Sequence, residues 1–325
     1  MKILFIHGDT RSIAGGAETL LRDQANELTR QGHEVAWYYG DGHISDAIRD
    51  FRPDICHLLT IHCYPMGMEP AVYLQENNIP HVWHIQDYWP FCAGRMLLVG
   101  DKSCSAVEGV CQRECRDTVN PSYLEICNKS FIVAGNQNTA DIYIRNGLRC
   151  DAVVELGVDT DLFSPGDAVG KLNVITSCGW PEQLHKGMHI LERALQGTDY
   201  EVTLITGLPR EEVAAALKKA HVFIFPSVYE ETFGLSLCEG MSAGLACISS
   251  DVAGAKAQIE DGVTGLLVPK GDADALRDAI NRVMQIKNLR YNLGQASREH
   301  VIKCHSLQAM THRWLKVYKK VLNDS

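Results

Sequence analysis

The sequence predicts an α/β protein of two lobes, each built on a parallel sheet. Short apolar runs alternate with helical patterns in two successive rounds along the 325 residues, and strands that alternate with helices form parallel sheets. A turn-rich segment, Phe163-Ser-Pro-Gly-Asp167, separates the two rounds. The hydrophobic content of 46% is enough to give each lobe its own core.

The first round begins with a strand and a helix. The helix is predicted over Ala17–Gln31, where Leu21, Ala25 and Leu28 recur at helical spacing before Gly32 ends it. The strands of this round are Ile3–Ile6, Val35–Tyr38, Ile55–Leu59, Val82–Ile85, Phe131–Ala134 and Val153–Leu156.

The second round is shorter. Its strands are Val174–Cys178, Val202–Thr206, Val222–Phe225, Ala246–Ser250 and Leu266–Val268. Between the second and third of these there is room for one helix, Glu211–Ala220.

Charge and composition narrow the function classes. The net charge is −9 and the basic residues are scattered, which argues against a nucleic-acid partner. Met1 to Ile6 is a strand pattern, and no apolar run is long enough for a signal peptide or a membrane span. A cytoplasmic enzyme is therefore expected.

The segment 225–244 carries the strongest functional pattern. An apolar strand ends at Pro226, and a helix can begin near Gly234. The N–H groups of Gly234, Leu235 and Ser236 would then face a ligand above the end of the strand. A helix start of this kind binds phosphate.

Two carboxylates flank this turn. Glu231 precedes the turn, and Glu239 lies roughly one turn into the helix. Each can accept hydrogen bonds from a pair of hydroxyls, and a sugar and a ribose offer such pairs. The alternative is that Glu231 only complements the helix dipole and that Glu239 is an ordinary exposed helical residue.

The segment resembles the E-x7-E signature of retaining glycosyltransferases of family 4. Further stretches resemble the same family in the expected order along nearly the whole chain: Gly15-Gly16-Ala17-Glu18, Asp87-Tyr-Trp89, Gly157-Val-Asp-Thr-Asp-Leu-Phe163 and Lys186-Gly187. The resemblance implies the GT-B architecture, in which two Rossmann-like lobes with parallel sheets enclose a cleft.

In this family the last helix returns to the first lobe. The resemblance therefore implies an acceptor lobe at residues 1–165, completed by the crossing helix 306–325, and a nucleotide-sugar lobe at residues 166–305. The family's glycine-rich strand-helix unit is missing ahead of Glu211, so a thinner base pocket is expected. A dehydrogenase would show G-x-G-x-x-G after the first strand, which this chain lacks.

The expected ligand contacts follow from the resemblance. The donor site is expected to contain Gly15, Gly16, Trp180, Phe233, Gly234, Leu235, Ser236 and Glu239. The Gly15-Gly16 pair opens the first helix, where its amides can approach a phosphate or sugar; a plain tight turn is the alternative.

Catalysis needs cations at the leaving diphosphate. Family members usually offer an Arg and a Lys; here Lys186 matches the Lys, while Trp180 stands in place of the Arg. A protonated His185 could share the work, and Trp180 could stack on the sugar or base. Lys186 as an ordinary surface lysine is the alternative.

The first lobe departs from the family at a second position. The usual His before Asp87 is replaced by Gln86, and His84 lies two residues earlier on the same face of an extended strand. His84 is therefore a candidate substitute for that His. Together with Glu231 and Lys186 it completes the set of expected catalytic residues. The alternative is a buried structural histidine.

Five of the 12 cysteines lie close together in an insertion, residues 90–127. They are Cys92, Cys104, Cys111, Cys115 and Cys127. Structural zinc, an iron–sulfur cluster and reduced or partly oxidised thiols are all open, because the spacing lacks the paired C-x2-C of typical zinc sites. No cofactor is expected to be required for catalysis.

The function expected from the resemblance is retaining transfer of a sugar, by a hexosyltransferase-type enzyme, from a nucleoside diphosphate sugar to an acceptor hydroxyl. A UDP-sugar is the expected donor, and the acceptor is a glycan, a lipid-linked or a small-molecule hydroxyl in glycan, polysaccharide or glycolipid synthesis. The alternative is a non-catalytic GT-B protein that only binds the nucleotide sugar. The basic terminal helix Leu307–Val321 either contacts anionic lipid at the inner membrane face or packs on the first lobe.

Overall fold

The chain forms two compact units in the computed structural model. The structure describes residues 1–8, 16–59, 67–92, 95, 97–99, 102–104, 120–168, 170–177 and 184–324. The first unit comprises Met1–Met96, Ser105–Leu156 and Leu307–Ser325. The second comprises Leu97–Cys104 and Gly157–Ser306.

The division lies nearer the N-terminus than the predicted boundary after residue 165. Residues 157–165 are held by the second unit: Val158 N–H donates to the carbonyl of His305 at 2.9 Å, and Arg298 donates to the carbonyl of Phe163 at 2.9 Å. The segment Leu97–Cys104, predicted as part of the first lobe's insertion, also groups with the second unit.

Strands and helices alternate through the first half of the chain. They are β1 (Lys2–Ile6), α1 (Gly16–Arg30), β2 (Glu34–Tyr38), α2 (Ile44–Phe51), β3 (Ile55–Leu58), α3 (Glu69–Glu76), β4 (His81–His84), β5 (Leu98–Val99), β6 (Lys102–Ser103), α4 (Ser122–Asn128), β7 (Phe131–Ala134), α5 (Gln137–Arg145) and β8 (Ala152–Val153). The predicted strands of this half all belong to one parallel sheet of order β2-β1-β3-β4-β7-β8. A short antiparallel hairpin pairs β5 with β6.

The second half repeats the pattern. Its elements are β9 (Asn173–Ser177), α6 (Met188–Leu195), β10 (Glu201–Ile205), α7 (Arg210–Leu217), β11 (Val222–Phe225), α8 (Leu235–Ser242), β12 (Ala246–Ser250), α9 (Ala253–Gln258), β13 (Leu266–Val268), α10 (Ala273–Gln285), α11 (Lys287–Cys304) and α12 (Leu307–Asp324). A 3-10 turn, Leu184–Lys186, precedes α6.

The second sheet is parallel, with strand order β10-β9-β11-β12-β13. This is the doubly wound order 3-2-1-4-5-6 without its third strand. The missing strand would lie beside β10, which instead forms the edge of the sheet with Val202 and Leu204 exposed. The single helix between β10 and β11 thus leaves one edge of the sheet open, as the short second round predicts.

Both sheets are buried by helices on their faces. In the second unit, Val222, Ile224 and Ile248 pack with Leu276 and Val283 in one apolar core. Strands buried on both faces appear in a sequence as continuous apolar runs, because no position faces water. This is the reason that short apolar runs predicted the central strands such as β3 and β11. The edge strand β10 is an exception, because most of its residues are exposed.

Helix α12 packs into the first unit through its aromatic residues. Trp314 and Tyr318 are fully buried, and the Tyr318 hydroxyl lies 2.7 Å from Nδ1 of His57. Lys316, Lys319 and other basic residues of the helix remain exposed. These two aromatic side chains therefore belong to the core of the first unit and are not available for contact with lipid. Within the described ranges, no helix is long and apolar enough to cross a membrane.

Candidate functional site

Helix α8 begins at the carboxyl end of β11 with a glycine in the left-handed region. Gly234 has φ +89° and stands at the N-cap of the helix. A Cβ at this position would lie 3.1 Å from the ring of Phe225, so space as well as backbone conformation favours glycine. Leu235 and Ser236 form the first turn, where helical N–H groups have no acceptor within the helix. The turn predicted for phosphate therefore exists in the fold.

Glu231 and Lys186 form an ion pair next to this turn. Lys186 Nζ donates to Glu231 Oε1 at 2.6 Å, and the side chains are 27% and 11% exposed. The hydroxyl of Ser227 lies 3.3 Å from the same carboxylate oxygen. The two residues predicted to be catalytic in this unit are thus brought together, although 45 positions separate them in the sequence.

Backbone contacts hold the lysine in place. Val228 N–H and Tyr229 N–H both donate to the carbonyl of His185, at 3.0 and 3.3 Å. Gly187 follows Lys186 with φ +71°, and any Cβ there would overlap the carbonyl oxygen of Pro226. The 3-10 turn can approach the loop after β11 this closely only because Gly187 has no side chain.

The surroundings of His185 disfavour the protonated form considered from the sequence. Burial lowers the pKa of His185 below its ordinary value of 6.5, and the neighbouring charge of Lys186 lowers it further, against an opposing effect of Glu231. The imidazole is therefore mainly neutral at pH 7. Trp180, which replaces the family's Arg, lies outside the described residues.

Phe233 and Glu239 occupy different environments. The side chain of Phe233 is buried, and its ring lies edge-on to His305 with a centroid separation of 5.5 Å. Only its backbone can therefore meet a ligand, which narrows its predicted role. Glu239 is half-buried on α8, and its assignment to a ribose stays a prediction.

Three residues of this site escaped the sequence reasoning. Glu230, adjacent to Glu231, is 3% exposed and accepts a hydrogen bond from Ala253 N–H at 2.8 Å. It also pairs with Lys270. Two consecutive glutamates near a helix start gave no signal that the first one faces inward. Ser227 was hidden because a lone serine after a proline is common in loops.

His84 lies inside the first unit. It ends β4 with 1% exposure, and its ring centroid is 5.1 Å from that of Trp314. Burial lowers the pKa of His84 to about 3, so the ring is neutral at physiological pH. This environment favours the structural alternative over contact with a substrate. Gly16 begins α1 and is exposed, whereas Gly15 lies outside the described residues.

The cysteines of the insertion are described only in part. Cys92, Cys104 and Cys127 are buried, and burial raises the pKa of Cys127, which disfavours a thiolate. Within the part of the chain that the structure describes, no group of three or more potential metal ligands occurs. Cys111 and Cys115 lie outside it, so the zinc site stays a prediction that metal analysis of the purified protein tests.

A family model matches most of the second unit. Residues 189–300 match the model of the family described as "Glycosyl transferases group 1". The MMP alpha-(1->4)-mannosyltransferase of Mycolicibacterium hassiacum is 29% identical over 200 residues, 52% of this chain and 48% of that protein. The chain thus spans about half the length of this curated relative.

Solved structures match over nearly the whole chain. Sucrose-phosphate synthase from Thermosynechococcus elongatus has a TM-score of 0.77 at 17% identity, with 100% of both chains covered. Anabaena Alr3699/HepE in complex with UDP and glucose has a TM-score of 0.74 at 16% identity, covering 98% of this chain and 99% of that chain. The chain therefore has the GT-B fold, and its second unit is similar to the group 1 glycosyl transferases from α6 to α11.

Proposed function

We propose that this protein is a retaining glycosyltransferase that moves a sugar from a nucleoside diphosphate sugar to an acceptor hydroxyl. The observation that carries the proposal is the Lys186–Glu231 pair beside the start of α8. A cation, a carboxylate and free helical N–H groups there meet the three needs of a nucleotide sugar: charge for the diphosphate, acceptors for sugar hydroxyls and donors for phosphate oxygens.

In this proposal Lys186 stabilises the leaving diphosphate. The bond between the anomeric carbon and the diphosphate oxygen breaks while the acceptor oxygen bonds to the same carbon from the same face. The acceptor proton passes to the departing phosphate oxygen, so the protein does not have to supply a base. Negative charge grows on the diphosphate as the bond breaks, and a preorganised ammonium lowers the energy of that state more than that of the ground state.

Glu231 has the role of holding the transferred sugar. The ammonium of lysine has three N–H donors, so Lys186 can keep its bond to Glu231 and still donate to a phosphate oxygen. The pair then links the sugar and the diphosphate on either side of the bond that breaks. Glu239, on the other side of the helix start, has the role of accepting bonds from the ribose hydroxyls.

The donor is expected to be a UDP-sugar. The similar fold of HepE has been crystallised with UDP and with UDP-glucose, which makes UDP-sugars the first donors to assay, followed by GDP- and ADP-sugars. The acceptor is expected to be a hydroxyl of a sugar, a glycan or a lipid-linked sugar. The E-x7-E pattern of the sequence supports assignment to the retaining enzymes of family 4.

Release of nucleoside diphosphate tests this function. The parent protein, with a panel of donors and acceptors, is expected to release nucleoside diphosphate and to form a product whose anomeric configuration, read by NMR, equals that of the donor. Inversion of the anomeric configuration would contradict the retaining assignment. Binding of nucleoside diphosphate without release from any donor would favour the non-catalytic binding protein.

A further inference from the structure

Glu230 links the loop after β11 to two other parts of the second unit. One carboxylate oxygen accepts the N–H of Ala253, the first residue of α9, at 2.8 Å, and the other receives the ammonium of Lys270, which follows β13. Glu230 is 3% exposed, and the side chain of Lys270 is 30% exposed. A charge this deeply buried is stable only when paired and hydrogen-bonded.

The first turn of α9 also lies directly against the backbone that follows Glu230, from Glu231 to Phe233. A Cβ on Gly254 would overlap the carbonyl oxygen of Phe233 and would lie 2.8 Å from that of Glu231. The side-chain amide of Gln258 donates to the carbonyl of Phe233. The backbone from Glu231 to Phe233 therefore rests on α9 without an intervening side chain.

We propose that Glu230 is the positioning residue for Glu231. By joining α9 and Lys270, it fixes the peptide that carries Glu231, so that the Glu231 carboxylate stays beside Lys186 and in reach of a donor sugar. The catalytic consequence rests on the function proposed above, whereas the effect on the Lys186–Glu231 pair does not.

Charge separation supports this arrangement. Glu230 and Glu231 are neighbours in the chain and both are buried, so their charges would repel each other at short range. Each has its own ammonium, Lys270 for the first and Lys186 for the second. Two separate lysines thus let the two neighbouring carboxylates point toward different partners.

Glu230→Gln is the informative variant. The amide keeps a carbonyl oxygen for Ala253 N–H and keeps the size of the side chain, but it loses the charge that attracts Lys270. We expect turnover to fall about tenfold to a hundredfold, the range typical of small displacements of a catalytic group, while affinity for free nucleoside diphosphate stays within about twofold because the nucleotide does not use Glu231. Lys256→Met is the matched control, since Lys256 also lies on α9 but pairs with Asp251 in an exposed ion pair.

Combining Glu230→Gln with Glu231→Ala distinguishes a positioning role of Glu230 from a general loss of stability. If Glu230 acts through Glu231, Glu230→Gln has no further effect on turnover in a Glu231→Ala background. An equal fractional loss in the parent and in that background would overturn the proposal. So would parental turnover of a folded Glu230→Gln protein.

The positioning role of Glu230 can also be tested by thermal unfolding in the absence of a donor, so the test holds even if the parent transfers no sugar. The coupling between Lys186 and Glu231 is obtained as the non-additive shift of Tm in the set Lys186→Met, Glu231→Gln and the double variant. We expect this coupling to fall by at least about half when the set is repeated in Glu230→Gln. Unchanged coupling would refute the positioning role, whatever the fate of the proposed activity.

Discussion

Replacing Lys186 should affect stability and turnover through two different partners. In Lys186→Ala, the carboxylate of Glu231 loses an ammonium at 2.6 Å and keeps the Ser227 hydroxyl at 3.3 Å. A buried polar group that loses a partner costs about 1–3 kcal/mol. Since the lysine is 27% exposed and water can enter in its place, we expect a loss near the middle of that range.

The effect on turnover should be larger. In the proposed reaction the partner that gains charge is the diphosphate, so losing Lys186 should lower turnover by about a hundredfold or more, equivalent to roughly 2.7 kcal/mol. The Michaelis constant for donor should rise less than turnover falls, because the interaction strengthens as the bond breaks. Urea unfolding gives the first quantity and steady-state kinetics the second.

A double variant separates the two effects. Lys186→Met with Glu231→Gln removes both charges, and removal of a whole buried pair is often nearly neutral for stability. We therefore expect stability to recover to within about 1 kcal/mol of the parent, while turnover stays low. Parental turnover in Lys186→Ala, or recovered turnover in the double variant, would refute the reasoning.

Three further predictions concern other residues of the two units. Glu239→Ala should weaken the binding of free nucleoside diphosphate by about 1.5–3 kcal/mol, whereas Glu231→Ala should leave this binding unchanged. If calorimetry shows that Glu239→Ala binds the nucleotide as tightly as the parent, the assignment of Glu239 to the ribose is contradicted. Gly187→Ala should greatly reduce turnover and stability, because a methyl group has no space there, whereas Gly197→Ala, with φ +80° and nothing within 4 Å, should cost only about 1–2 kcal/mol of strain in the unfolding free energy. The pKa of His84 is about 3 in the folded protein, against an ordinary value of 6.5 that applies to the unfolded chain. Between these values the unfolded chain binds more protons than the folded protein, so His84 should make stability fall as pH drops below 6.5. Thermal unfolding from pH 7.5 to 5 should therefore show a weaker pH dependence in His84→Gln, and identical slopes would exclude this contribution.

The order of strands and helices could be predicted because the sheets are parallel and buried. Strand β11 is apolar at every position and is evident from the sequence alone. Strand β12 begins with an apolar run and ends in two buried serines, Ser249 and Ser250. The weakest prediction of this kind was Val153–Leu156, which forms only the two-residue strand β8. β8 lies at the edge of its sheet and its two residues are only half-buried, so no continuous buried apolar run marks it in the sequence.

The candidate site could be predicted where its residues lie close together in the sequence. Gly234, Leu235 and Glu231 lie within one turn and one helix start, and their pattern alone indicated a phosphate and a diol. Lys186 needed the resemblance, since nothing local joins residue 186 to residue 231. Glu230 could not be assigned, because its partners come from α9 and from the segment after β13, and such long-range pairing leaves no periodic trace in the sequence.

The open edge of the second sheet bears on the choice of nucleotide. The strand order reverses between β9 and β11, and ligands of such sheets bind at that point of reversal. Only β10 lies beyond β9, and one strand spacing is about 4.8 Å. In the function proposed above, a base that extends in this direction has only β10 of this sheet beside it and is expected to be largely hydrated.

A base surrounded largely by water contributes little to discrimination, because specificity is a difference between two binding free energies. Nucleoside diphosphates that differ only in their base are therefore expected to bind this protein within about tenfold of each other, a difference of about 1.4 kcal/mol. Under the proposed function, the sugar and the diphosphate, rather than the base, would then determine which donor this protein prefers.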